Sequence, residues 1–399
     1  MPIGTPLHSR TLAICQSLSF RVWAGYYAAN AYEPHHEHEY AAIRHSAGLI
    51  DVSPLYKYEL SGPGATTLVD RIITRSAARV AVGQVIYTPW CDARGKVIDD
   101  GTITRLDENR YRWTAADPSL RWFRLNAGGL DVAIDDISDR LAALALQGPM
   151  AARVLADASD LAPPILAYFR MAPARIGGVA VEVSRTGYTG DLGYEVWVPA
   201  ASAVRVWDAL IDAGRPHGLR PAGMLALDVV RIEAGLLLID VDFVSSARAL
   251  SGEQCYTPAE MGLGRLVHLD KPRFVGREAL VEEQRHGVAR TIVGLELDWE
   301  GVEGAFDRHG LAPAVGTTPS RQAVPVLGDG RQIGKATSTT WSPILKKLVA
   351  LATVDHSAST RGTRLEYELT VEGTRHLVPA TVVGTPFFDP PRKRSVPDA

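Results

Sequence analysis

Cysteine is scarce: the 399 residues include only Cys15, Cys91 and Cys255, too few and too far apart for a disulfide framework or a zinc knuckle. An excess of one charge is missing too. Lys and Arg number 42 against 45 Asp and Glu, so the net charge of −3 gives nucleic acid or an anionic membrane little to hold. The one basic run, Arg392-Lys393-Arg394, sits in a Pro-rich tail and reads as a solubilising feature. No stretch approaches the roughly 18 apolar residues that a membrane span needs. The start, Met1-Pro2-Ile3-Gly4-Thr5-Pro6, has neither the charged nor the apolar part of a secretory leader. The expectation is a cytoplasmic protein with no membrane or nucleic-acid partner. What is present is ordinary for a folded chain, with 46% apolar and 22% charged residues, which excludes disorder and coiled coil. The length calls for two or three domains.

Periodicity predicts mixed α and β structure. Residues 1–50 read mostly as loop and helix, with helical spacing from Glu39 to Gly48. Strands are predicted over Tyr56–Leu60, Val82–Trp90, Lys96–Arg105 and Arg110–Ala115, the middle two joined by the turn Asp92-Ala93-Arg94-Gly95. A short helix starts near Pro63. Leu141–Gln147 reads as a buried strand, and Pro149 opens a helix to about Ala158. Further strands are expected at Val179–Ser184 and Val196–Val198, and helices at Ala201–Ala213 and Gly223–Gly235. From Thr291 helical periodicity mostly disappears and short alternating runs separated by Gly, Pro and Asp predict an all-β barrel.

Several familiar signatures are absent: GxGxxG after a strand, GxxxxGK[ST], GxSxG and a Cys–His protease pattern. The run 187–193 has glycines at the right spacing but joins two strands, so no helix N-terminus is there to cradle a phosphate. His35-His36-Glu37-His38-Glu39 offers metal-ligand chemistry, yet adjacent side chains on a regular element point apart, and a polar helix start is the preferred reading. No metal is expected.

Asp99-Asp100 is more informative. Two carboxylates inside a strand are unfavourable unless each has a partner or a task. Alternation puts Val97, Asp99, Gly101 and Ile103 on one face and Ile98, Asp100, Thr102 and Thr104 on the other, so the acids cannot form a dyad. One acid is expected to face solvent or a structural partner, the other a cavity. Glu195 enters the apolar strand Tyr194–Val198 and needs donors there. An aminopyrimidine ring would supply two N–H groups, and an internal salt bridge with Arg185 or Arg231 would serve equally. Asp228 and Arg231, three apart on a helix, read as a surface or interdomain ion pair.

The run Arg185-Thr186-Gly187-Tyr188-Thr189-Gly190-Asp191-Leu192-Gly193-Tyr194-Glu195 resembles a signature of the aminomethyltransferase (glycine cleavage T-protein) family. Five more segments agree in order: Gly48–Ser53, Gly95–Asp100, Leu146–Pro149, Arg220–Gly223 with Arg231–Gly235, and Phe274–Leu280. Trp341-Ser342-Pro343 and Thr385-Pro386-Phe387 fit as well, so the resemblance spans nearly the whole chain. It implies an α+β fold, with three domains in a cloverleaf around a tetrahydrofolate pocket and a C-terminal β-barrel. The implied units are 1–52 with 142–232, 53–141 with 233–288, and 289–399. It implies Asp100 as the catalytic acid beside the reacting folate nitrogens and Glu195 as the clamp on the pterin. Tyr87, Thr114, Tyr188 and Arg231 are the other implied cofactor-binding positions; Thr114 stands where the family often has Asn.

The departures are equally specific. Leu227 replaces the Arg that meets the folate carboxylate in glycine-cleavage enzymes, Pro54-Leu55 replaces His-Met, and Arg265 replaces a Trp. The stretch Asp240–Tyr256 lacks the family's Asp-Glu-Asn-Thr-Asn run. These changes point from glycine cleavage towards one-carbon transfer to folate N5 from a small N-, O- or S-methyl donor, with a lipoyl carrier protein not expected as partner. The alternatives are the aminomethyltransferase of glycine cleavage and a non-catalytic folate-binding protein. Against the latter, Gln254-Cys255-Tyr256 only partly matches the motif that such a relative carries. A demethylating oxidase would need a flavin-binding half.

Overall fold

Leu141–Gln147 is buried almost throughout and lies inside a six-stranded sheet in the computed structural model, which describes residues 1–161 and 166–395. The sheet runs Met171–Ile176, Val179–Ser184, Gly193–Pro199, Leu141–Gln147, Ala47–Asp51, Leu219–Pro221, and only the last pair is parallel. Its outer face, with Leu144, Leu146, Val183, Val196 and Val198, packs on helices Ala151–Ala158 and Ala203–Gly214. Between Asp51 and Leu141 the chain builds a second, five-stranded sheet. Its order is Val85–Cys91, Val97–Asp107, Arg110–Ala115, Tyr56–Ser61, Ala133–Asp136. Here too the core lies on the outer face, where Tyr58, Ile86, Trp90, Ile103 and Trp113 meet helices Ala65–Ile72 and Leu120–Ala127. With both cores outside, the inner faces of the two sheets are left to wall a cavity.

The third unit is the expected barrel, closed by six strands: Arg290–Leu297, Lys347–Asp355, Arg331–Ser342, Val324–Gly328, Arg364–Val371 and Thr374–Val383. Residues 396–399 of the expected 289–399 unit lie outside the described residues. Glu233 ties the units together. It accepts from Arg44 at 2.7 and 2.8 Å, Tyr40 at 2.7 Å and, from the barrel, Ser342 at 2.6 Å. Among the described residues no helix is long and apolar enough to cross a membrane.

Besides strands Met171–Ile176, Ala133–Asp136 and Leu219–Pro221 and helix Leu120–Ala127, three further elements are additions to the sequence reading. Residues 1–50 contain a hairpin, Phe20–Trp23 with Tyr26–Ala29, besides their helices. Helix Arg277–His286 packs Leu280 against the Asp92–Gly95 turn. The barrel unit holds a helix, Trp299–Asp307, capped by the Asp298 side chain.

Gly95 sits in the hairpin that leads into Asp99 and Asp100, with φ +73°, and a Cβ there would stand 3.0 Å from Leu280. An L residue pays for the left-handed conformation and for the contact. Gly95→Ala is therefore expected to lower the unfolding free energy by about 1–2 kcal/mol, read as a lower urea midpoint.

Candidate active site

Register decides which side chains meet. Asp100 lies opposite Pro89, and Thr102 lies between Tyr87 and Thr114, so Asp100, Tyr87, Thr102 and Thr114 all rise from the inner face of the five-stranded sheet. In the six-stranded sheet Glu195 pairs with Ser184 and Ala145, and Trp197 with Glu182 and Ala143, which puts Glu195 and Trp197 on its inner face. The two faces wall one cavity of about 1270 Å³, lined by Asp100, Tyr87, Thr114, Tyr188 and Glu195 among others. The two candidate acids thus share one cavity from opposite sheets.

The neighbouring acids have separate tasks. Asp99 is fully buried and accepts from the backbone N–H of Asp100, Ala116 and Asp117 at 2.8, 3.1 and 2.9 Å, so it fixes the turn after Ala115. It takes the structural partner, not solvent. Asp100 accepts from the Tyr87 hydroxyl at 2.5 Å through Oδ2, and no partner within the described residues takes Oδ1. Burial pushes Asp100 up to about 6, against the pull of the Tyr87 hydrogen bond.

Glu195 is held by a relay. The Trp197 indole donates to Ser184 Oγ at 3.1 Å, and Thr186 Oγ1 donates to Glu195 Oε2 at 2.5 Å. Since the Thr186 proton is committed, the Ser184 hydroxyl donates to Thr186 at 2.8 Å. Glu195 Oε1 has no partner among the described residues. Burial raises the Glu195 carboxyl, and the Thr186 bond and the charge of Arg112 draw it back. Arg112, on the same strand face as Thr114, stacks over the Trp197 ring at 4.3 Å and pairs with Glu182. Neither Arg185 nor Arg231 pairs with Glu195, which closes the salt-bridge alternative. Arg185 donates instead to backbone carbonyls of Leu166 and of the tail at Arg392, Lys393 and Ser395.

The glycines of the 187–193 run are explained by Gln147. Its amide donates to the carbonyls of Thr186 and Tyr194 and accepts from Thr189, and a Cβ on Gly187 or Gly193 would overlap it at 2.0 or 2.3 Å. The loop wraps a side chain, not a phosphate, and so presents Tyr188 and Glu195 to the cavity.

Arg231 stands apart from the rest of the expected set. It is not in the cavity wall; its guanidinium is spent on Asp242 at 2.6 Å and Ser338 at 2.8 Å, where the helix meets the barrel. The expected ion pair with Asp228 is present at 3.7 Å, and Asp228 bonds Arg21 and Arg321 as well. In the histidine-rich run, His36 meets the Thr317 carbonyl, His38 meets Glu33, and Glu39 accepts from three backbone N–H groups. Thr186, Ser184, Trp197 and Arg112 were not foreseen, since their meeting depends on register and on two sheets facing. Thr102 could have been, from its alternation with Asp100.

Comparison with known proteins agrees with this geometry. Residues 14–271 match the GCVT N-terminal domain and residues 290–389 the glycine cleavage T-protein C-terminal barrel domain. The chain is 39% identical over 369 residues to the trimethylamine-oxide aldolase of Ruegeria pomeroyi, covering 89% of this chain but only 43% of that protein. It is 35% identical over 356 residues to the aminomethyltransferase of Bacillus subtilis, covering 88% of this chain and 90% of that protein. The crystal structure of glycine cleavage system aminomethyltransferase T from Bartonella henselae superposes with a TM-score of 0.82 at 25% identity, over 98% of this chain and 99% of the other. The chain therefore belongs to the glycine cleavage T-protein (aminomethyltransferase) family, whose members are one-carbon transferases that use tetrahydrofolate.

Proposed function

We propose that this chain transfers a one-carbon unit from a small N-, O- or S-methyl donor to N5 of tetrahydrofolate. One observation carries the reading: Asp100 and Glu195, rising from opposite sheets into one cavity, each keep a carboxylate oxygen without a partner among the described residues. Such acceptors suit a ring that presents several N–H groups. Tetrahydrofolate supplies the nucleophilic nitrogen. Glu195, pinned through Oε2, offers Oε1 and its remaining lone pairs to the pterin N–H groups. Tyr87 holds Asp100 so that its free oxygen accepts from the folate amines and balances positive charge as N5 is alkylated. Thr114 and Tyr188 complete the wall, and the enclosed cavity supplies proximity and orientation. In this reading the units are 1–52 with 142–232, 53–141 with 233–288, and 289–399.

The 39% identity to a trimethylamine-oxide aldolase and the Leu227 replacement in the cavity wall favour a methylated amine as donor over the glycine-cleavage intermediate. The second reading, aminomethyltransferase of glycine cleavage, is favoured by relatives of that name that the chain matches over 90% of their length. Incubation with tetrahydrofolate and isotope-labelled methyl donors separates them by mass. Label in 5-methyltetrahydrofolate from a free small methyl donor, or in 5,10-methylene-tetrahydrofolate from an amine N-oxide, whose N–O bond takes up the two electrons, supports the proposal. Label only from an aminomethylated lipoyl carrier moves the assignment to glycine cleavage, and folate binding without transfer from any donor leaves a binding protein.

A further inference from the structure

Part of the cavity wall changes from apolar to cationic. Trp23, Leu55, Met224 and Leu227 line an apolar stretch, and beside it stand Arg21, Asp228 and Arg321. These three come from the N-terminal hairpin, the helix Met224–Glu233 and the loop before Val324, so only the fold brings them together. Asp228 is buried and accepts from Arg21 Nη1 at 3.0 Å, and from Arg321 Nε at 3.1 Å and Nη2 at 2.7 Å. Arg231 is also near, but Asp242 neutralises it. Two guanidiniums therefore share one carboxylate, and neither has another acidic partner among the described residues; the other bond of Arg21 goes to the neutral Asn30. One positive charge is left over. Arg21 Nη2 and Arg321 Nη1 make no hydrogen bond to the described protein, and the two side chains are 22% and 39% exposed, so the spare donors are reachable. Burial and, after it, the charge of Arg321 lower the pKa of Arg21, and Asp228 offsets them only in part.

We propose that Arg21 and Arg321, held by Asp228, form a carboxylate-binding site in the cavity wall. Two planar forks with free N–H groups match a carboxylate better than a neutral or cationic group. The carboxylate has two possible sources: the glutamate tail of folate, reached along the apolar stretch, or an amino-acid-type methyl donor. The first source rests on the folate reading; the site itself does not.

The test compares the whole chain with Arg21→Gln and Arg321→Gln by calorimetry, using p-aminobenzoylglutamate, 5-formyltetrahydrofolate and a tail-less tetrahydropterin. Both tailed probes should bind roughly five- to tenfold more weakly to either variant, with the tail-less pterin unchanged. The loss should shrink as salt is raised, and Arg321→Lys should restore part of it. If tailed probes are unaffected but the variants raise KM for dimethylglycine and not for trimethylamine N-oxide, the donor is the source. No change in either arm overturns the site. A wild-type chain that binds neither pterin overturns the folate reading, and binding of p-aminobenzoylglutamate or the donor arm then still decides the site. Where a glutamine variant fails to fold, Arg321→Lys against wild type gives the same comparison, because it keeps a cation beside Asp228.

Discussion

Asp100→Asn is expected to slow one-carbon transfer by about 10²- to 10⁴-fold, the usual weight of a positioned acid–base group. Tetrahydrofolate affinity should stay within about fivefold, because asparagine keeps an acceptor oxygen and loses only charge. The structure gives the reason for this split. Asp100 is fixed by strand register and by the Tyr87 hydroxyl at 2.5 Å, and its other oxygen is left to the cavity. Its charge matters most when the attacking nitrogen becomes cationic, which happens on the way to the transition state and not in the bound ground state. The pH profile carries the same signature. Burial raises the Asp100 carboxyl to about 6, so the active carboxylate is lost as pH falls through that value, and the wild-type rate should drop on the acid side of it. The acid limb should vanish in Asp100→Asn. In Tyr87→Phe it should move up, since the lost hydrogen bond had favoured the carboxylate; a bond of about 0.5–1.5 kcal/mol corresponds to roughly 0.4–1 pH unit. Steady-state rates from pH 5 to 8, with folate affinity measured separately, decide it. Equal losses of turnover and affinity in Asp100→Asn would remove the catalytic assignment.

What could be read from the sequence, and what could not, follows from the range of the interactions. Alternation along Val97–Thr104 was enough to separate Asp99 from Asp100, and the strands on both sides of 187–193 were enough to deny a phosphate loop despite its glycine spacing, because both are local properties of the chain. The hairpin at Phe20–Ala29 escaped because its strands are four residues long, with Val22 at 62% and Tyr27 at 37% exposure spoiling the alternation. Helix Trp299–Asp307 escaped for another reason. Gly301 and Gly304 lower helix propensity, and Gly301 is there because Pro379 of the barrel would lie 2.6 Å from a Cβ. Local spacing found only part of the surroundings of Arg231. The ion pair with Asp228, three residues away on one helix, is there at 3.7 Å, while the closer contacts to Asp242 and the barrel's Ser338 come from distant segments. The Trp197–Ser184–Thr186–Glu195 relay and the stacking of Arg112 on Trp197 join residues across strands and across sheets. No periodicity within one segment carries that information.

The relay matters for a second expected result, Glu195→Gln, which should weaken tetrahydrofolate binding by about 1.5–3 kcal/mol, roughly 10- to 100-fold in Kd. The glutamine amide group has two places to go, and both are wrong. Turned towards Thr186 it sets a donor against a hydroxyl whose proton already points at that position. Turned into the cavity it faces the pterin N–H groups with N–H of its own, and in either case the acceptor charge is gone. Arg112 adds to the loss, because its charge favours the carboxylate form of Glu195 and would be left without that partner. Turnover at saturating folate should change far less than affinity, since the clamp holds the ring in the ground state and the transition state alike. Thr186→Val serves as the companion variant. It keeps the carboxylate but removes the pin on Oε2, so a smaller loss of affinity should appear. Binding isotherms for the two variants, set beside those of Asp100→Asn, separate a residue that grips the ring from one that acts on the reacting nitrogen. Wild-type folate affinity in Glu195→Gln would sink the clamp and, with it, the orientation of the pterin between the two sheets.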